Sequence, residues 1–165
     1  MKSIYFAGGC FWGVEKYLGM ISGVVETEVG YAQSDILNPT YADLCEGRSS
    51  ASEVVRVKYN ENIVTLNKII ELFFKIIDPT SINKQGADRG IQYRTGIYYT
   101  EEEQKNIAVE FIDSIKDSFD KEIVVEVEEL RNYTVAEDYH QKYLEKNING
   151  YCHINFANFS EEDFN

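Results

Sequence analysis

One cysteine lies at a turn where its sulfur could act as a nucleophile. Cys10 stands in the run Gly8-Gly9-Cys10-Phe11-Trp12-Gly13, where a predicted strand gives way to a predicted helix. Unpaired N–H groups and the positive end of the dipole at a helix N-terminus stabilise a thiolate. The position therefore predicts that the pKa of Cys10 falls below the free value of about 8.5. The alternative is a small buried hydrophobe, the usual state of a free cysteine.

Two further cysteines, Cys45 and Cys152, complete a sparse and odd-numbered set. Such a set does not indicate a disulfide scaffold, so reactive thiols are the better interpretation for a cytosolic chain. The histidines His140 and His153 raise the question of a metal site with Cys152. Because one adjacent Cys-His pair and one distant histidine do not have the spacing of zinc ligands, we expect no bound metal.

Composition and charge exclude several classes of protein. The 165 residues are 44% hydrophobic and 27% charged, which is typical of a soluble globular protein, and we expect a single domain over residues 1–165. The net charge of −12 argues against nucleic acid, which requires clustered Lys and Arg. We find no apolar run of about 18 residues, so no membrane span is predicted. The N-terminal MKSIYFAGGC is too short for a signal peptide, and we expect a cytoplasmic protein.

The elements that must position Cys10 follow from hydrophobic periodicity. Strands are predicted at 3–7, 24–31, 53–59, 95–100 and 123–127, and helices at 11–20, 65–77, 101–118 and 136–146. The order β-α-β-β-α-β over residues 3–99 is that of the split βαβ, ferredoxin-like motif. We expect an α+β fold with a mixed, mostly antiparallel sheet and helices packed on it.

Two long connections and the C-terminal segment are predicted to be irregular. Residues 33–52 and 79–93 form long loops, and such loops in compact domains are usually functional. Residues 147–165 form an irregular tail that contains Cys152. We therefore expect long active-site loops above the sheet and a tail that brings a second thiol.

Several motifs in chain order resemble one known family. They are GCFWG at 9–13, NPTY at 38–41, CEG at 45–47 with Glu53 six residues later, DPTSINKQGADRGIQYRT at 78–95, AEDYHQKYL at 136–144 and GYC at 150–152. Together they are similar to the A-type methionine sulfoxide reductases over nearly the whole chain. The resemblance implies an enzyme that takes oxygen from methionine-S-sulfoxide, either free or in proteins.

The chain departs from the family pattern in two places. Where the family usually has GYxGG, this chain has Gly30-Tyr31-Ala32-Gln33-Ser34, and where it usually has TGHAE, this chain has Ser49-Ser50-Ala51-Ser52-Glu53. The shape of the loop before Glu53 is therefore open. Some family members have selenocysteine at the nucleophile position, so the native residue at position 10 is open as well.

The resemblance assigns roles that match the chemistry of sulfoxide reduction. Cys10 is the nucleophile, and Glu53 is the acid that protonates the departing oxygen, for which burial must raise its pKa. The resemblance adds five further site residues. Tyr41 and Tyr93 hold the sulfoxide oxygen with their hydroxyls, and Asp88 is a polar anchor of the site. The rings of Phe11 and Trp12 enclose the substrate methyl.

The resemblance also implies how the cycle closes. Cys152 resembles the resolving cysteine, which condenses with the sulfenic acid of Cys10 to give a disulfide. Thioredoxin or another dithiol then reduces this disulfide, with no bound cofactor. Cys45 is interpreted as structural, and we expect a monomer.

Two alternatives are left open by the residues. A thiol peroxidase or thioltransferase also needs an activated cysteine and a resolving partner. A catalytically weak module that binds oxidised peptides is conceivable because of the changes at 49–52. A comparison of turnover with a sulfoxide and with hydrogen peroxide distinguishes a sulfoxide reductase from a thiol peroxidase. Stoichiometric reduction of methionine sulfoxide excludes the binding module.

Overall fold

In the computed structural model, which describes residues 1–154, 156, 163 and 164, a six-stranded sheet and a small hairpin organise the chain. The strands are β1 (Lys2–Gly8), β2 (Val24–Ala32), β3 (Ser52–Tyr59), β4 (Lys84–Gln85), β5 (Asp88–Arg89), β6 (Thr95–Tyr99), β7 (Glu126–Glu129) and β8 (Thr134–Val135). The α-helices are α1 (Phe11–Gly19), α2 (Tyr41–Cys45), α3 (Leu66–Phe74), α4 (Glu102–Ile115) and α5 (Tyr143–Lys146). Short 3-10 helices occupy Ile91–Tyr93, Lys116–Ser118 and Asp138–His140.

The order of the strands is that of the predicted split βαβ core. The sheet runs β7-β6-β1-β3-β2-β8, and its four long strands stand in the ferredoxin-like order. Every pair is antiparallel except β6 and β7, which are parallel. The prediction of an α+β fold with a mixed, mostly antiparallel sheet is confirmed.

Alternation along the strands divides the apolar side chains between the two faces of the sheet. Ile4 and Phe6 of β1 belong to the main core with the buried sides of α1 and α3. Tyr5 and Ala7 belong to a smaller cluster on the opposite face. There the ring of Tyr5 meets Tyr133 at 4.8 Å between centroids. Helices therefore pack on the face to which the even-numbered residues of β1 point.

The ends of the predicted elements follow local signals. The predicted helix over 65–77 is found as α3, which Thr65 begins by accepting a hydrogen bond from the Lys68 N–H at 3.1 Å. The predicted helix over 101–118 is found as α4 followed by one 3-10 turn. The strand predicted at 123–127 lies later in the chain, as β7.

The predicted helix over 136–146 is wrong. The segment contains a 3-10 turn, then Lys142 in the left-handed region at φ 54°, and only four residues of α5. Tertiary contacts replace the helical hydrogen bonds. The amide of Gln141 binds the N–H and C=O of Val29, while the carboxylate of Glu15 accepts the Lys142 N–H at 2.7 Å.

The long loops are partly ordered by short elements that periodicity did not predict. The loop 33–52 contains α2, which Thr40 and Asp43 begin with a capping box. The loop 79–93 contains the hairpin β4–β5 and a 3-10 turn. Of the predicted tail, residues 147–154 are irregular apart from turns, and positions 155, 157–162 and 165 lie outside the described residues. Within the described ranges, no helix has the length and apolar character needed to cross a membrane.

Candidate active site

The candidate nucleophile lies at the predicted strand-to-helix turn. Cys10 is the residue before α1, with φ −57° and ψ 122°, and it is a free thiol that is 7% exposed. Gly9 turns the chain at φ 93°, and a Cβ there would lie 2.8 Å from the Cβ of Gln85. The glycine is therefore required both by the backbone conformation and by close packing.

The candidate acid is held beside the nucleophile by the backbone. Glu53, the second residue of β3, is 2% exposed, and its Oε1 accepts the Phe11 N–H at 3.1 Å. Burial raises the pKa of Glu53 to about 8, and the charge of Asp88 adds to this, while the Phe11 hydrogen bond lowers it. The carboxyl is therefore mainly protonated at neutral pH, as an acid catalyst requires.

The predicted lowering of the Cys10 pKa is wrong. Burial raises the pKa of this thiol well above its usual range, and the charge of Glu53 raises it further. The backbone N–H of Trp12 acts in the opposite direction but is outweighed. The cost of removing the sulfur from water is therefore larger than the gain from the hydrogen bond at the start of α1. At rest, Cys10 is a neutral thiol.

The two candidate tyrosines lie near enough to Glu53 for its charge to act on their hydroxyls. Tyr41 begins α2 and Tyr93 ends a 3-10 turn, and both side chains are partly buried. Burial first, and then the charge of Glu53, raise the pKa of both hydroxyls. Both remain protonated and able to donate hydrogen bonds. The loops thus place both predicted tyrosines within the electrostatic influence of Glu53.

Asp88 and Cys152 arrive on the hairpin and on the tail. Asp88 accepts a hydrogen bond from the Tyr151 hydroxyl at 2.9 Å, next to Cys152 in the chain. A Cβ at Gly13 would lie only 2.8 Å from Cys152 Sγ, so the thiol lies directly against the first turn of α1. His153 Nε2 lies 3.2 Å from the Gly8 carbonyl oxygen. The tail therefore brings Cys152 to the strand–helix junction that contains Cys10.

The two predicted aromatic contacts differ in exposure. Phe11 is 1% exposed and packs against Tyr31 and His140, with centroids 5.8 and 5.1 Å away. Trp12 is partly buried, and Tyr143 stacks on it at 3.8 Å. Trp12 has the more accessible ring, and Phe11 lies in the core beside it.

Sequence reasoning missed two residues that support the site. His140, 1% exposed, accepts the indole N–H of Trp12 on Nδ1 at 3.0 Å. Glu137 accepts the Tyr31 hydroxyl at 2.7 Å and the Tyr41 N–H at 3.1 Å. The signal was available, because the single tryptophan of the chain must pair its N–H when partly buried.

Cys45, which the sequence analysis interprets as structural, lies at the surface. It ends α2 as an exposed free thiol, and a hydrogen bond between its side chain and Tyr41 contributes to the raised pKa of that hydroxyl. Over the described part of the chain, no group of three or more His, Cys, Asp or Glu side chains could hold a metal ion.

The fold and the site together define a cysteine-based enzyme on a ferredoxin-like sheet. A family model described as peptide methionine sulfoxide reductase matches residues 2–164. Peptide methionine sulfoxide reductase MsrA of Clostridium perfringens is 54% identical over 154 residues, which covers 93% of this chain and 98% of the relative. This chain belongs to the peptide methionine sulfoxide reductase family and is therefore an oxidoreductase.

Solved structures agree with this assignment. Methionine sulfoxide reductase A of Corynebacterium diphtheriae is similar with a TM-score of 0.86 and 36% identity, over 92% of this chain and 77% of that one. Mxr1 from Saccharomyces cerevisiae in its reduced form is similar with a TM-score of 0.84 and 34% identity, over 92% of this chain and 88% of that one.

Proposed function

We propose that this protein reduces methionine-S-sulfoxide, free or in proteins, with Cys10 as the nucleophile and Glu53 as the acid. The observation that supports this most directly is the hydrogen bond from the Phe11 N–H to Glu53 at 3.1 Å, which fixes a protonated carboxyl beside the residue that follows Cys10. A charged carboxylate there could not supply a proton, whereas a pKa of about 8 leaves one available at neutral pH.

The first half-reaction transfers one oxygen atom. The Cys10 sulfur attacks the sulfoxide sulfur, and Glu53 gives its proton to the oxygen as the S–S bond forms. Glu53 regains a proton from the Cys10 thiol, which is neutral at rest. The hydroxyl then transfers to the cysteine sulfur as the S–S bond and the S–O bond of the former sulfoxide break, so that Cys10 becomes a sulfenic acid and methionine leaves. The cysteine sulfur is oxidised by two electrons and the sulfoxide is reduced by two.

The remaining residues bind the substrate. We assign Tyr41 and Tyr93 as donors to the sulfoxide oxygen, because their hydroxyls stay protonated beside Glu53. Trp12 forms an apolar wall for the substrate methyl, with Phe11 behind it. Asp88 is the polar anchor that ties the hairpin to the tail through Tyr151. An apolar methyl slot opposite the hydroxyls favours one sulfoxide epimer, which the family resemblance indicates is S.

The second half-reaction removes the oxygen as water. The Cys152 thiol attacks the Cys10 sulfenic acid, a disulfide forms, and water leaves. Thioredoxin or another dithiol reduces this disulfide by exchange. The position of Cys152 against Gly13 supports the assignment, because the thiol already lies on the first turn after Cys10.

The rest of the proposal concerns the setting of the enzyme. We propose that residues 1–165 act as one catalytic domain and as a monomer, because one chain supplies every site residue. The protein uses an external dithiol and no bound cofactor. A cytoplasmic location fits the three free cysteines and the absence of a disulfide scaffold, and the net charge of −12 fits a protein that does not bind nucleic acid.

Dithiol-dependent reduction of the two separated sulfoxide epimers tests the function. We expect turnover of the S epimer only. Equal rates on both epimers contradict the methyl slot, and faster turnover of hydrogen peroxide indicates a thiol peroxidase instead. Binding of oxidised peptide without even one stoichiometric reduction indicates a binding module.

A further inference from the structure

Two of the residues at which this chain departs from the family pattern form a hydrogen bond with each other. Ser34 Oγ and Ser49 Oγ lie 2.8 Å apart and are both buried, with 3% and 4% of the residue exposed. Each hydroxyl also accepts one backbone N–H at 3.1 Å, from Ile36 and from Ala51 respectively. The two serines therefore satisfy each other inside the loop rather than facing water.

A second pair adjoins the first. Asp35 Oδ1 accepts the Ser50 N–H at 2.8 Å, and Ser50 Oγ accepts the Asp35 N–H at 3.1 Å. These bonds continue the pairing of β2 and β3 beyond its last rung, Ala32 with Ser52. We name the four residues Ser34, Asp35, Ser49 and Ser50 the loop latch.

The loop latch adjoins both sides of the active site. Only Ala51 and Ser52 separate it from Glu53, which pairs with Tyr31 in the β2–β3 ladder. Nη1 of Arg94 donates to the carbonyl oxygens of Ser50 and Ile91, at 2.8 and 2.9 Å. Ile91 begins the turn that ends at Tyr93. The loop latch is thus connected to the acid along β3 and to one tyrosine through Arg94.

The preceding residue anchors the same end of β2 to the sheet. Gln33 adopts φ 58° although it is not glycine, and it is 3% exposed. Its side-chain amide donates to the Glu129 carbonyl at 3.0 Å and accepts the Arg131 N–H at 2.7 Å. These bonds offset the strain of the left-handed conformation and give the loop latch a fixed base.

We propose that the loop latch is a positioning device, which holds the Glu53 carboxyl in its buried place against the Phe11 N–H and keeps the Tyr93 turn beside it. The proposal rests on the assignment of Glu53 as the acid. Loss of the Ser34–Ser49 hydrogen bond would loosen the start of β3 and admit water to the carboxyl. The acid would then lose both its alignment and its proton at neutral pH.

The direction of the pH effect follows from what surrounds Glu53. The titratable groups that face its carboxyl come from five segments and are Cys10, Tyr31, Tyr41, Asp88 and Tyr93. Among these, the charge of Asp88 raises the pKa of Glu53, but burial is the larger cause of the value of about 8. Hydration therefore moves that pKa downward, and the active protonated form is lost at a lower pH.

Single-turnover rates measured from pH 6 to pH 9 in Ser49→Ala, Ser49→Thr and the wild type test the proposal. We expect Ser49→Ala to lower the rate about tenfold at neutral pH, since misplacement of a catalytic group is costly. Its basic-side fall in rate should begin at a lower pH. Ser49→Thr keeps a hydroxyl and should restore both the rate and the profile. Ser118→Ala, at an exposed serine, is the matched control.

The double variant separates a specific pair from general damage. Ser34→Ala and Ser49→Ala each break the same hydrogen bond, so combining them should lower the rate little beyond either single change. If the rate losses of the two single variants multiply in the double variant, the proposed role of the loop latch is wrong. It is equally wrong if Ser49→Ala has an unchanged rate and an unchanged pH profile. Circular dichroism and thermal unfolding check that each variant is folded. If one of them does not fold, Ser50→Ala, which removes only the hydrogen bond from the Asp35 N–H to the Ser50 hydroxyl, replaces it.

Glu53→Gln, measured in the same series, keeps this proposal distinct from the proposed function. If the basic-side fall persists in Glu53→Gln, the titrating group is not Glu53, and the acid assignment fails. If the fall disappears there but does not move in Ser49→Ala, the acid assignment stands and the loop latch alone is wrong.

Discussion

Trp12 donates its indole N–H to Nδ1 of His140 at 3.0 Å, across 128 residues of sequence. Because Nδ1 accepts, the neutral ring has its proton on Nε2, and burial lowers the pKa of His140 so that the ring stays neutral. This bond joins the segment after the proposed nucleophile to the C-terminal quarter of the chain. The position of Trp12, the proposed wall for the substrate methyl, therefore depends on a residue far away in sequence.

Removing the acceptor should destabilise the protein. His140→Phe keeps an aromatic ring but leaves the Trp12 N–H unpaired, which costs about 1–3 kcal/mol of unfolding free energy. Trp12 is the single tryptophan, so its fluorescence reports both the local change and the unfolding in urea. Tyr139→Phe, at a residue that is 58% exposed, is the control and should stay within about 0.5 kcal/mol of the wild type. Equal stability of all three proteins contradicts the importance of the bond.

Cys10→Ser should abolish reduction and leave the fold intact. A hydroxyl is a far weaker nucleophile than a thiol, and serine fits the space of the buried cysteine. The measurement is release of methionine from the S-sulfoxide under single-turnover conditions, with unfolding in urea as the check on the fold. Retained reduction by this variant removes the central assignment.

Glu53→Gln should slow the chemical step by roughly 100-fold or more, the usual scale for a lost general acid. The amide keeps the shape and can still accept the Phe11 N–H, so binding should change less than the rate. The measurement is the single-turnover rate as a function of sulfoxide concentration. A rate close to that of the wild type assigns the proton to another donor.

The same variant should change how stability depends on pH. The folded pKa of Glu53, about 8, lies above its unfolded value of 4.5, so between these values the folded state holds a proton that the unfolded state releases. Its contribution is present below about pH 4.5 and is lost as the pH rises toward 8. The wild type should therefore lose stability relative to Glu53→Gln by up to about 1.4 kcal/mol per pH unit. Urea unfolding of both proteins near pH 5.5, 6.5 and 7.5 measures this, and parallel curves contradict a neutral Glu53.

Cys152→Ser should stop the cycle after one turnover. The first half-reaction needs only Cys10, so one equivalent of methionine should form and a dimedone-type reagent should trap the sulfenic acid. Thioredoxin-dependent turnover should collapse, whereas a small thiol can attack the sulfenic acid directly.

Cys45→Ser is the control for this change, and it tests the rival thiol as well. Cys45 is exposed beside Tyr41, so it is the alternative resolving residue. Peptide mapping after one turnover of the wild type decides between the two. A Cys10–Cys152 bridge agrees with the proposed cycle, and a Cys10–Cys45 bridge with Cys152 free overturns it.

Hydrophobic periodicity predicted those features of the fold that depend on residues close together in the chain. The alternation in β1 and β3 and the apolar stripe of α3 predicted the sheet and its packed face, because each requires only neighbours a few residues apart. The turn at Cys10 was also predicted from its two glycines. The pKa of Cys10 was predicted wrongly, because the helix end is visible in the sequence and the depth of burial is not.

Long-range side-chain contacts account for the other differences. The segment 136–146 has the apolar spacing of a helix, but Gln141 bonds to Val29 and Lys142 bonds to Glu15. The partnership of Ser34 with Ser49 likewise joins two polar loop ends whose separate sequences predict only irregular chain. Such bonds are decided by the complete fold and could not be predicted from either segment alone.

Gly13 has a consequence for how electrons from the external dithiol reach Cys10 in the proposed cycle. A methyl group at this position would lie 2.8 Å from Cys152 Sγ and would have to displace it. A disulfide requires the Cβ atoms of its two cysteines to approach to about 3.5–4.5 Å, so even a small spacer between the thiols is costly. In the proposed cycle, alanine at position 13 would spare the oxygen transfer and obstruct the return to the reduced state. In that cycle, the last glycine of GCFWG leaves the space that Cys152 occupies, whereas the cysteine of the same motif accepts the oxygen.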